Sequence, residues 1–168
     1  MEMKKEEIIN NGKFILNSET PEFSEFEILL FIPFFDQDVK VLFQNLVSLD
    51  SIPEVNLIVE IVNELLEFPD KNKVWLKKEI WNHYETYVSN TSYGFVTLKG
   101  FSNQREANMA YFNIRNENEA FENVQLEMIY TDLSFLDFRY FNLIYKCPWE
   151  NEHGISIGIM NGEFNSII

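Results

Sequence analysis

A change of hydrophobic period partway along the chain restricts its fold more than any other feature. Val55, Ile58, Val59, Val62, Leu65 and Leu66 recur at three- and four-residue steps, the spacing of one face of an α-helix. Ser51 is placed to cap the start of that helix, with Glu54 as its capping-box partner and Pro53 tolerated in the first turn. Pro69 ends it. Asp70 can then cap a second helix over about 71–88, on which Leu76, Ile80, Tyr84, Tyr87 and Val88 fall close to one face.

On either side of this helical pair the pattern is that of strands. Phe26, Ile28, Leu30 and Ile32 share one face of an apolar run from Phe23 to Phe35, and Leu29 and Phe31 make the other face apolar too. That doubled pattern predicts a strand buried on both sides. Turn residues over 33–38 lead into Val39 to Phe43, which completes an opening hairpin. A shorter strand-like patch, Lys13 to Leu16, lies in a polar lead-in. Tyr93 to Leu98 reads as another short strand and Val124 to Tyr130 as one with a wet face, whereas 103–118 is polar with weak helical character. Strands, two helices, then more strands predict an α+β fold: a mainly antiparallel sheet with two consecutive central helices packed on one face. Nothing divides residues 1–168, so one domain is expected.

The last hairpin is the most unusual segment. An apolar run from Phe138 to Lys146 and the alternating Ile155-Ser156-Ile157-Gly158-Ile159 flank Cys147-Pro148-Trp149-Glu150-Asn151-Glu152-His153-Gly154. Glu150, Glu152 and His153 have the donor atoms of a divalent-metal site, but side chains at a hairpin tip lack the fixed direction that helical spacing confers. The plainer account has these groups capping free turn amides while Gly154 adopts a positive φ. Trp149 reads equally as an interface anchor or as an aromatic lid on the hairpin. Cys147 would need a thiolate-stabilising environment to act as a nucleophile, and acidic neighbours work against one, so it reads as a small buried hydrophobe. The other histidine, His83, stands one helical turn after Glu79 and is expected to form an ion pair with it.

Charge narrows the partners. With 27 acidic against 13 basic side chains, the net charge of -14 argues against nucleic acid, whose phosphates need a positive surface. The same field would either speed encounter with a basic protein or simply keep an aromatic-rich domain dispersed. Cys147 is the only cysteine, so no intrachain disulfide is possible. The longest apolar run, Ile28 to Phe35, falls far short of the roughly 20 residues that span a bilayer. The start of the chain does not read as a signal peptide. A cytoplasmic setting without membrane contact is expected, and no glycine-rich phosphate loop, nucleophile elbow or H-E-x-x-H motif occurs.

Trp149-Glu150-Asn151-Glu152-His153-Gly154 resembles the Trp-(Asp/Glu)-x-Glu-His-Gly segment of a family of small bacterial domains of unknown function, some of whose members look like immunity proteins of polymorphic-toxin systems. Ile32-Pro33-Phe34-Phe35 with Val39-Lys40-Val41, and the helix carrying Tyr84, are similar to that family's opening hairpin and central helices. Glu150 stands where the family often has Asp, which keeps the charge. The resemblance implies a cytosolic bacterial α+β protein that neutralises a toxin, and it brings no catalytic assignment. The expected function is therefore a non-catalytic acidic binding protein for a basic partner such as a toxin domain. Trp149, Glu150, Glu152, His153 and Gly154 are its candidate binding residues, with no catalytic residue, metal or cofactor. The alternative is a metal-dependent enzyme using Glu150, Glu152 and His153.

Overall fold

One seven-stranded sheet organises the chain, with its strands lying side by side in the order in which they occur in the sequence. The computed structural model describes residues 2–94, 100–134 and 136–168. The strands are β1 (Lys13–Ile15), β2 (Glu25–Ile32), β3 (Gln37–Gln44), β4 (Gln125–Asp132), β5 (Tyr140–Cys147), β6 (Glu150–Met160) and β7 (Glu163–Ile167). Every neighbouring pair is antiparallel except β3 and β4. A parallel pair needs a long crossover, and here it contains α2 (Ile52–Leu66), α3 (Asn72–Asn90), α4 (Gln104–Phe112) and α5 (Glu117–Glu122). A short helix, α1 (Lys5–Asn11), precedes β1. The fold is α+β, as the period change requires.

Alternation assigns the two sheet faces. Phe26, Ile28, Leu30 and Ile32 of β2 are buried, as are Val39, Val41 and Phe43 of β3 and Phe141 and Leu143 of β5. Against them pack Ile58, Ile61, Val62 and Leu65 of α2 and Leu76, Ile80, Tyr84 and Val88 of α3, forming one hydrophobic core. The opposite sheet face carries Glu25, Glu27, Lys40, Tyr130, Asn142 and Ser156, none of them buried. On this face Leu29 and Phe31 are 66% and 52% exposed, so β2 is buried on one side only. The doubled apolar pattern predicted two covered faces, but the helices supply a single layer.

Local chemistry sets most element ends, with two departures from expectation. Ser51 occupies the N-cap of α2, but its hydroxyl makes no capping bond and the Glu54 carboxylate does not return one. Lys71, not Asp70, is the N-cap of α3; the Asp70 carboxylate pairs instead with Lys73 at 3.1 Å. The polar stretch over 103–118 resolves into two capped helices, with Asn103 accepting from the Glu106 amide and Asn116 from those of Asn118 and Glu119. Asn161 and Gly162, at φ 50° and 82°, make the turn into β7, a strand the sequence reading did not include. The strand expected from Tyr93 to Leu98 lies mostly outside the described residues. No described helix is long and apolar enough to cross a membrane.

Candidate functional site

The hairpin of β5 and β6 turns more tightly than its sequence suggests. Cys147 pairs directly with Glu150, so only Pro148 and Trp149 form the turn, and Glu150 already belongs to β6. The ladder then shifts, and Tyr145 finds its partner at Ile155. Gly154 sits in this irregularity with φ +70°, where a Cβ would stand 2.2 Å from the Tyr145 carbonyl oxygen. Both the conformation and the close backbone approach require glycine.

Trp149 is 1% exposed. Its indole packs edge-on against Tyr84 of α3, with ring centroids 5.0 Å apart, and its Nε1–H donates to His83 Nδ1 at 3.1 Å. The Tyr93 hydroxyl donates to the Trp149 carbonyl. Of the two readings open to this residue, the packing is that of an aromatic plug that fastens the turn to α3, and the ring is not presented to solvent. His83, stacked on Tyr87 at 4.5 Å, is thereby committed to the indole rather than to an ion pair with Glu79, whose carboxylate accepts from Asn82. Accepting at Nδ1 requires that nitrogen to be unprotonated. Burial lowers the His83 pKa, against the opposing pull of the Glu150 carboxylate.

Glu150 closes the turn from the other side. Its Oε1 accepts the backbone N–H groups of Glu152 at 3.0 Å and His153 at 3.1 Å. The His153 amide, first among these contacts, holds the Glu150 carboxyl below its ordinary pKa. Glu152, His153 and Asn151 are exposed beyond it. Among the described residues no three His, Cys, Asp or Glu side chains converge as a metal would require. Cys147 is buried, and burial pushes its thiol up to about 12, so it is not a thiolate at neutral pH.

Two clefts flank this end of the sheet. One, of ≈ 340 Å³, is lined by Gln125, Glu127, Lys146 and residues 150–154. The other, of ≈ 520 Å³, is lined by Thr91, Tyr93, Tyr111 and Phe112 of the crossover and by Pro148, Trp149, Glu150, Asn151 and Glu152 of the turn. Of the expected binding residues, Trp149 lies in the two-residue turn and Glu150, Glu152, His153 and Gly154 follow along the start of β6. The sequence reading did not include Tyr93, Tyr111 or Phe112, which lie within the crossover, line the second cleft and carry no motif of their own.

The architecture is thus that of a small α+β domain with a helix-backed sheet and an acidic, aromatic-walled end. The chain belongs to the family described as Domain of unknown function (DUF6985), which it matches over residues 15–167. No curated protein and no solved structure matches it.

Proposed function

We propose that this is a non-catalytic acidic binding protein, of the bacterial immunity type, that occupies a basic protein partner such as a toxin domain within the cytoplasm. One observation carries the reading: Glu150 and Glu152 line a single open cleft together with Tyr93, Tyr111 and Phe112. Carboxylates and aromatic rings lining one cleft suit a lysine or arginine side chain, which gains charge pairing from the first and ring contact from the second. Glu150 is kept ionised and fixed by its bonds to turn amides, so the negative wall is preorganised. The net charge of -14 would speed encounter with such a partner and repel nucleic acid. Tyr111, 61% exposed, takes the anchoring role first considered for Trp149.

Affinity capture from source-cell lysate tests this. Immobilised protein should retain a basic protein that is released by moderate salt and is not retained by the Glu150→Gln/Glu152→Gln variant. Retention unchanged by both salt and the double substitution would remove the reading.

A further inference from the structure

At the far side of the sheet, β2 has an incomplete neighbour. β1 covers only Glu25 to Glu27, which among the described residues leaves Ile28 to Ile32 without a strand on their outer side. The phase of the strand shows which groups are left over. The Ser24 carbonyl bonds the Leu46 amide on the β3 side, and antiparallel pairing alternates residue by residue. Residues 26, 28, 30 and 32 therefore turn their backbone groups toward β3, while Glu25, Glu27, Leu29 and Phe31 turn theirs outward. β1 takes the first two. Among the described residues nothing bonds the outward N–H and C=O groups of Leu29 and Phe31. The same two residues hold the exposed apolar side chains of this strand.

The edge is also a cleft. Leu29 and Phe31 from one sheet face and Leu30 from the other line a space of ≈ 360 Å³, with Met3, Glu2, Glu7 and Leu66. Residues from both faces of one strand line a common space only around its edge. α1 lies on the helix-bearing face, since its Ile8 is in the core and Gly12 abuts the Phe26 ring.

We propose that the outer edge of β2 receives an extended segment of a partner protein as an additional strand, one in which apolar and basic residues alternate. Leu29 and Phe31 would supply the four backbone bonds and the apolar contacts on the open face, and Glu2 and Glu7 would meet the basic side chains on the helix-bearing face. A second copy of this chain is a poor occupant because each carries -14. This surface is separate from the β5–β6 turn and does not depend on the function proposed for it.

The probe is an end-blocked octapeptide of alternating valine and arginine, followed by amide hydrogen exchange on the full chain. Saturating peptide should slow exchange at Leu29 and Phe31 at least tenfold, and a valine–glutamate octapeptide should not. Phe31→Pro, which deletes an outward N–H at an edge position that tolerates proline, should weaken binding at least tenfold. Should that variant fail to fold, Leu29→Lys, a charge on the edge, carries the same expectation. Equal protection by both peptides, protection by neither, or undiminished binding to a folded variant would overturn the proposal. So would protection that rises with protein concentration alone, which would assign the edge to self-pairing.

Discussion

The β5–β6 turn and the outer edge of β2 are opposites in how they use their residues. The turn is dense with polar and ionisable groups, yet it turns them on itself: the indole to His83, the Glu150 carboxylate to two amides, the Cys147 thiol to the Glu150 carbonyl. The β2 edge is made of plain aliphatic and aromatic residues whose side chains are exposed and whose outward backbone groups bond nothing among the described residues. Chemically rich residues can be consumed by folding, while an ordinary strand retains its capacity to bind. What remains for a partner at the turn is the outer row, Glu152, His153 and the cleft wall, rather than Trp149.

Trp149→Ala tests the contrast most severely. Emptying a buried indole site should cost ~3–5 kcal/mol in denaturant unfolding, whereas a loss under ~1 kcal/mol would show that the turn is not anchored in the core. Gly154→Ala should follow at about 2–3 kcal/mol, from the positive φ and the encroachment on the Tyr145 carbonyl. The His83 bond gives a pH signature. Because the folded-state pKa is below the ordinary histidine value of about 6.5, the unfolded chain takes up the proton first. Stability should therefore fall as pH drops below that value, before the carboxylates titrate. His83→Asn, which keeps an acceptor for the indole but cannot titrate, should flatten the melting temperature over that window. A slope that persists in this variant would place its origin elsewhere. At the other extreme, Leu29→Ser and Phe31→Ser should each change stability by no more than ~0.5 kcal/mol, since neither side chain is in the core. Calorimetry of these five variants sets a built region against an open one.

Much of the fold was legible because its signals are local. The helical spacing of Leu76, Ile80, Tyr84 and Val88 and the alternation through Phe26 to Ile32 each follow from the element's own geometry. The parallel pairing of β3 with β4 has no such signal, as it joins residues far apart in sequence. The exposure of Leu29 and Phe31 was hidden for a related reason: an apolar second face shows that a strand can be covered, and only the number of helical layers decides whether it is. β7 was missed although Asn161-Gly162 is a strong hairpin signal. At the site, the neighbourhood of Glu150 to Gly154 was readable from adjacency, and the Gly154 conformation from residue type. The burial of Trp149 was not, because an indole serves equally in a core or at an interface, and His83 reaches it from α3, far away in sequence.

The single parallel seam has a consequence for the chain as it is made. β1 to β3 can form a hairpin sheet early, but β3 gains its second neighbour only after residues 45–124 have been added and β4 has emerged. At ~5–20 residues per second that interval is roughly 4–16 s, during which the inner edge of β3 is as exposed as that of β2. Nascent chains stalled just before Gln125 should then be more prone to chaperone capture and aggregation than chains stalled beyond Ile167, a difference readable by crosslinking on the ribosome. The vulnerable period of this protein's life is set by the point at which the middle of its sheet is joined.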